Sequence, residues 1–102
     1  MQYPEYAALL FAIPNGGARN AVTGARLKEE GVVAGVADLF LSVPGGDLHG
    51  LYIEMKTDKG CQSKSQKEFQ ASVTSAGYGY FVCRSVPDFI SAVSEHLKRR
   101  FE

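Results

Sequence analysis

Hydrophobic and polar residues alternate along two neighbouring segments of the chain. The segments cover residues 36–43 and 50–56, and the turn-forming sequence Pro-Gly-Gly-Asp joins them at 44–47. Such alternation around a glycine-rich turn is typical of a β-hairpin. A third segment, 78–84, is mainly apolar and aromatic, which predicts a buried strand.

Four other segments have helical character. Helix formers predict a first helix over 5–12, and a second helix is predicted over 21–30. The sequence Ser65-Gln66-Lys67-Glu68 fits a capping box that opens a third helix, which reaches Ala76. A final helix begins at 85–88, with inward-facing Phe89, Ile90, Val93 and Leu97. With a possible short strand near 11–14, the order predicts a small α/β domain with a mixed sheet and flanking helices.

Length and composition narrow the class of protein. The 102 residues, 45% of them hydrophobic, suit a single folded domain over 1–102 and argue against disorder. The first residues lack a basic signal region, and no apolar stretch is long enough to span a bilayer, so we expect a soluble cytoplasmic protein without a membrane partner. The two cysteines form no CxxC pair; we expect Cys61 in a loop and Cys83 in the core.

The net charge limits how nucleic acid could bind. Eleven basic residues balance eleven acidic ones, which excludes a protein that coats nucleic acid through bulk charge. Contacts to a DNA backbone would have to be local, and the candidates beside the hairpin are Arg19, Arg26, Lys59 and Lys64. The alternative for each is an ordinary surface charge. We expect both histidines, His49 and His96, to be exposed rather than catalytic.

Charged residues within the hairpin are the most informative feature. Alternation places Glu54 and Lys56 on one face of the second strand. If the loop is the three-residue turn 45–47, Asp38 lies directly opposite Glu54, with Cβ atoms about 4.5–5.5 Å apart.

Two carboxylates at such a distance repel each other unless a proton, a cation or an ammonium group lies between them. Carboxylate oxygens suit Mg²⁺ or Mn²⁺, and a metal site of this kind can hydrolyse a phosphodiester. Lys56 would then orient the attacking water or stabilise the charge that develops on phosphorus. The alternative is an ordinary cross-strand salt bridge among Asp38, Glu54 and Lys56.

Gln66 is a polar residue on a helical stripe that otherwise faces the sheet. It shares that stripe with Phe69, Val73 and Ala76. A buried amide needs partners. Gln66 would either cap the strand ends or hydrogen-bond Lys56, a metal-bound water or a DNA phosphate.

Taken in order, these residues resemble a known family. The matching residues are Gly35-Val36-Ala37-Asp38, Glu54-Met55-Lys56, Ser65-Gln66 and Gly77-Tyr78. They resemble the PD-(D/E)XK nuclease superfamily, and more narrowly the virus-type replication-repair nuclease (VRR-NUC) family in its small standalone form, which phages and prophages often encode. One departure is Ala37, which stands where the superfamily name has proline.

The resemblance implies a restriction-endonuclease-like fold and Mg²⁺-dependent cleavage of DNA at four-way junctions by a homodimer, with Mn²⁺ able to substitute. By the same resemblance, Asp38, Glu54 and the backbone carbonyl of Met55 would bind metal, Lys56 would be catalytic and Gln66 would support it. Glu5 would be the acidic residue of the first helix. For Glu5, an end-of-helix position that frays or favours the helix dipole is an equal alternative.

Two other functions remain open. A non-catalytic module that binds DNA junctions would keep the fold and lack turnover. A structural or regulatory dimer would keep the charged pair as a salt bridge and bind neither metal nor DNA.

Overall fold

The computed structural model describes residues 4–14 and 33–101. The predicted second helix over 21–30 lies outside the described residues, as do Arg19 and Arg26. Within the two described ranges, no helix has the length and apolar character needed to cross a membrane.

A mixed four-stranded sheet with two α-helices forms the described structure. The elements are a 3₁₀ helix (Pro4–Leu9), β1 (Leu10–Ala12), β2 (Leu39–Leu41), β3 (Leu51–Met55), α1 (Lys64–Ser75), β4 (Gly79–Cys83), α2 (Val86–Lys98) and a terminal 3₁₀ turn (Arg99–Phe101). The strand order is β1-β2-β3-β4. The pairs β1–β2 and β2–β3 are antiparallel, whereas β3–β4 is parallel. The predicted α/β class with a mixed sheet is therefore confirmed.

The predicted first helix over 5–12 is wrong in type and in extent. The 3₁₀ helix ends at Leu9, and β1 then pairs with β2, with Leu10 opposite Leu41 and Ala12 opposite Leu39. The Ser42 N–H also donates to the Leu9 carbonyl at 2.8 Å. Because the edge of β2 offers the backbone these partners, strand pairing overrides the local helix propensity.

The hairpin has the predicted register but a different turn. Leu39 pairs with Ile53 and Leu41 with Leu51, as the alternation predicted. Gly45 and Leu48 exchange two backbone hydrogen bonds of 2.9 Å, so the tight turn has two central residues instead of three. Gly46 in this turn has a φ of 58°, a conformation that favours glycine. The first strand is also shorter than the predicted 36–43.

Helix α1 begins two residues earlier than predicted. Its N-cap is Ser63, whose hydroxyl accepts from the Gln66 N–H, while the Gln66 side chain accepts from the Ser63 N–H. The prediction that Ser65 and Glu68 form the capping box is therefore wrong. Two overlapping Ser-x-x-Gln/Glu sequences exist in this segment, and the structure uses the first.

The hydrophobic core lies between one face of the sheet and α2. Its buried members are Leu41, Val43, Leu51, Ile53, Cys83, Ala92, Val93 and Leu97. The predicted core position of Cys83 and loop position of Cys61 are confirmed. Ile90, predicted to face inward, is 57% exposed. The inward face of α2 instead includes His96, which is buried, so the prediction of an exposed His96 is wrong. Its Nε2 donates to the Val43 carbonyl at 2.6 Å, which satisfies this nitrogen inside the core.

Aromatic rings cover the opposite face of the sheet, beneath α1. The ring centroids of Phe40 and Tyr52 lie 4.5 Å apart, those of Tyr52 and Phe69 5.1 Å, and those of Phe69 and Tyr80 6.4 Å. Rings at these separations pack favourably. The cluster places the hydroxyl of Tyr80 at the end of the sheet where the charged residues lie.

Candidate active site

The charged residues meet where β2 begins and β3 ends. Asp38 directly precedes β2, Glu54 and Met55 are the last residues of β3, and Lys56 follows that strand. Because the two strands are antiparallel, the start of one and the end of the other lie at the same edge of the sheet. The fold therefore brings Asp38, Glu54 and Lys56 to one end of the sheet.

Glu54 is a buried carboxylate with one partnered oxygen and one unpartnered oxygen. Its side chain is only 1% exposed. The Tyr80 hydroxyl donates a hydrogen bond to Oε1, whereas Oε2 accepts none. The Lys56 ammonium lies 4.0 Å from Oε2, at the outer limit of an ion pair. A buried carboxylate oxygen without a hydrogen bond is costly, which indicates a position for a cation.

Tyr80 remains a hydrogen-bond donor in this environment. Burial raises the pKa of its hydroxyl above the ordinary value of 10.0, and the hydrogen bond to Glu54 and the negative charges of Glu54 and Asp38 raise it further. The hydroxyl is consequently protonated at neutral pH.

Asp38 is fixed differently from the prediction. The pairing of β2 with β3 ends at Leu39, and the Asp38 N–H donates to the Ile53 carbonyl at 3.0 Å. Asp38 is therefore not paired directly opposite Glu54, as had been predicted. Its Oδ2 instead accepts from the Met55 N–H at 2.7 Å. The N–H and C=O of a strand residue point to the same side. The Met55 carbonyl is therefore directed toward the Asp38 side, as a metal ligand shared with Asp38 would require.

Gly35 holds the segment that leads to Asp38 against the first turn of α1. Its φ is 81°, and a Cβ atom there would lie 2.3 Å from the Ser65 carbonyl oxygen and 2.8 Å from the Gln66 nitrogen. Only glycine permits this approach. The contact brings Gln66 beside the Asp38 segment. The Gln66 side chain also caps this helix, because its Oε1 accepts from the Ser63 N–H at 2.8 Å.

The donor set fits a hard cation that keeps part of its water shell. Within residues 4–14 and 33–101, no three or more His, Cys, Asp or Glu side chains come together as a metal site. Asp38, Glu54 and the Met55 carbonyl supply oxygen atoms only. Mg²⁺ and Mn²⁺ accept such ligands, and Mg²⁺ is commonly held by one or two carboxylates and several waters. The residues present therefore fit Mg²⁺ better than Zn²⁺.

The structure does not bring Glu5 to this site. Glu5 is exposed in the first 3₁₀ helix. Its neighbour Tyr6 accepts a 3.1 Å hydrogen bond from Arg100, which also donates to the Pro44 carbonyl at 3.0 Å. Pro44 belongs to the turn of the hairpin, at the end of β2 opposite Asp38. The position of Glu5 therefore does not support the catalytic role that was predicted for it.

Basic side chains flank the candidate active site. Lys59 and Lys64 are exposed on the loop after β3 and at the start of α1. The guanidinium of Arg84 donates to the carbonyls of Thr57 at 2.8 Å and Gly60 at 2.6 Å, which fixes the loop that carries Lys59. Arg84 was missed at the sequence level, because nothing in its neighbourhood along the chain indicates this contact.

Tyr80 was also missed. Alternation along the predicted third strand places Tyr80 and Val82 on one face, but it does not say which strand lies next to them. The parallel pairing of β4 with β3 places Val82 opposite Glu54 and Tyr80 opposite Tyr52. That pairing depends on the tertiary structure, so the sequence alone does not indicate that Tyr80 lies beside Glu54.

The fold of this chain is similar to that of a solved structure. A solved structure titled "VRR_NUC domain protein" matches with a TM-score of 0.79 and 27% sequence identity, over 90% of this chain and 70% of the matched chain. No family model matches the sequence. No curated protein matches it either.

Proposed function

Because this chain has the fold of the VRR-NUC nuclease family, as its motif residues predicted, we propose that it is a Mg²⁺-dependent, structure-selective endodeoxyribonuclease. The observation that carries the proposal is the buried Glu54 carboxylate, whose Oε2 lacks a hydrogen bond and faces Lys56 at 4.0 Å. Buried polar atoms are nearly always hydrogen-bonded, so an oxygen that accepts no hydrogen bond is expected where an ion or a substrate binds.

Asp38, Glu54 and the Met55 carbonyl would hold the metal ion, with Mn²⁺ able to replace Mg²⁺. The chemistry supplied at this position would be a lowered pKa for a bound water and neutralisation of the charge on the phosphate. Hydrogen bonds already position the two carboxylates without a metal ion, because the Met55 N–H donates to Asp38 and the Tyr80 hydroxyl donates to Glu54. Such preorganisation reduces the reorganisation needed during the reaction.

Lys56 is the residue to which we assign direct action on the substrate. Its side chain is 19% exposed, so the ammonium is reachable from solvent while most of the chain is enclosed. A positive charge at this position would orient the attacking water and stabilise the negative charge that develops on the phosphate oxygens. Gln66 would support the site through the α1 turn that contacts the Asp38 segment.

DNA would approach along the basic residues beside this centre. We assign phosphate contacts to Lys59 and Lys64, and on the sequence argument alone to Arg19 and Arg26. A homodimer that acts on four-way junctions suits a chain of 102 residues with zero net charge, because a two-fold pair would present two active sites to two strands. The expected setting is the cytoplasm of a bacterial host, with a phage or prophage as the source.

The test of the catalytic assignment compares three variants in a DNA cleavage assay with Mg²⁺. Asp38→Ala and Lys56→Ala should each lower the cleavage rate by at least about 100-fold, since each removes a charge that acts on the transition state. Lys98→Ala is the matched control, because Lys98 is 56% exposed and its ion pair is with Glu95 in α2, away from the candidate active site. Circular dichroism should show that all three variants are folded.

Wild-type-like cleavage by both Asp38→Ala and Lys56→Ala would overturn the catalytic assignment. Junction binding by the wild type without turnover in Mg²⁺ or Mn²⁺ would favour the non-catalytic binding module instead. The dimer has its own test in light scattering at the assay concentration, where a monomeric mass would contradict it.

A further inference from the structure

The Tyr80 hydroxyl is the partner of a single oxygen of the buried Glu54 carboxylate. Tyr80 lies on β4, while Glu54 lies on the neighbouring β3. The hydroxyl donates to Oε1, and Oε2 is left to Lys56. The two oxygens of one carboxylate are thereby given different partners.

Neighbouring side chains fix the direction of this hydrogen bond. The Gln62 amide Nε2 lies 3.5 Å from the Tyr80 oxygen and 2.9 Å from Oε1 of Gln70, to which it donates. Because the amide presents hydrogens to the Tyr80 oxygen, the hydroxyl hydrogen is directed at Glu54. The Phe69 ring, 6.4 Å from that of Tyr80, adds a packing contact from α1.

We propose that Tyr80 is a positioning residue that holds Oε1 of Glu54, so that only Oε2 is presented to the metal ion and to Lys56. The proposal rests on the proposed nuclease function. In this role Tyr80, which lies outside the nuclease motif, would select the Glu54 oxygen that stays free for the metal ion. Partners that orient metal ligands commonly contribute 10- to 100-fold in metal affinity or activity.

The alternative is that Tyr80 only packs in the aromatic cluster. The two cases differ in the effect of removing one oxygen atom. In Tyr80→Phe the ring remains, but Oε1 loses its donor and the carboxylate is free to rotate. Tyr78→Phe is the matched control. It also removes a hydroxyl from a partly buried tyrosine, whose ring centroid lies 5.5 Å from that of Tyr52 in the aromatic cluster.

The experiment measures Mn²⁺ binding to the DNA-free protein by titration calorimetry, alongside junction cleavage as a function of Mg²⁺ concentration. We expect Tyr80→Phe to weaken Mn²⁺ binding by about 10-fold or more, and Tyr78→Phe to leave it within about threefold. Saturating Mg²⁺ should restore most of the Tyr80→Phe cleavage rate, which damaged packing would not allow. Junction binding in the presence of a chelator should be unchanged.

A second variant covers the case in which Tyr80→Phe fails to fold. Gln62→Leu removes the donor that orients the hydroxyl while leaving Tyr80 in place, and a smaller loss of Mn²⁺ affinity is expected. Wild-type Mn²⁺ affinity in folded Tyr80→Phe, or in Gln62→Leu if the former is unfolded, would overturn the positioning role and leave the nuclease proposal intact. A wild-type protein that neither binds Mn²⁺ nor cleaves DNA would overturn both.

Discussion

Replacing Gly35 with alanine should damage both the stability of the fold and the proposed metal site. The φ of 81° at Gly35 disfavours any side chain, at a cost of about 1–2 kcal/mol. The new Cβ would also lie 2.3 Å from the Ser65 carbonyl oxygen and 2.4 Å from its carbon, and both atoms belong to the backbone of α1. Overpacking of this kind costs about 1–3 kcal/mol more. We therefore expect Gly35→Ala to lower the free energy of unfolding by roughly 2–5 kcal/mol.

Gly46→Ala separates the conformational cost of a positive φ from the steric cost of the new Cβ atom. Gly46 also has a positive φ, of 58°, but a Cβ there would come no closer than 3.5 Å to another side chain, that of Arg99. Only the conformational cost of about 1–2 kcal/mol is expected. Urea unfolding measures the difference between the two variants in the free energy of unfolding. Mn²⁺ titration should show weakened binding in Gly35→Ala alone, because the Asp38 segment must move off α1. Equal losses of stability in the two variants would refute the steric argument.

Two further predictions concern stability and DNA binding. Burial lowers the pKa of His96 in the folded protein below its ordinary value of 6.5. As the pH falls, the unfolded chain therefore binds a proton at this histidine before the folded protein does, and the free energy of unfolding should decrease below about pH 6.5. Urea unfolding across that range should show this slope, and His96→Asn should flatten it; an unchanged slope would contradict the assignment. Neutralising Lys59 and Lys64 together should make junction binding less dependent on salt: the slope of the logarithm of the binding constant against the logarithm of the salt concentration should decrease in magnitude by about 2. Lys98→Gln should leave this slope unchanged.

The hairpin and its charged residues follow from local pattern. Alternation has a period of two, so it assigns Glu54 and Lys56 to one face and correctly pairs Leu39 with Ile53. What the pattern cannot specify is where the ladder stops. The Asp38 side chain binds the Met55 N–H, and its own N–H turns to the Ile53 carbonyl, because a carboxylate can replace the strand partner that Met55 would otherwise need.

Other differences arise from contacts between distant parts of the chain. The segment at Leu10–Ala12 has residues that favour a helix, yet it forms β1 because the edge of β2 is available. The choice of Ser63 over Ser65 as N-cap accompanies the close approach of Gly35 to the Ser65 carbonyl. Burial of His96 depends on the Val43 carbonyl, which lies far away in sequence. Local propensity carries no information about any of these partners.

The nuclease assignment depends above all on one assay: cleavage of a labelled four-way junction beside a linear duplex of the same sequence, in Mg²⁺ or Mn²⁺, with a chelator control. The active site built on Asp38, Glu54 and Lys56 predicts cuts in the junction that require metal and disappear with the chelator. Cuts that persist in the chelator, or a junction that is bound and never cut in either metal, would contradict it.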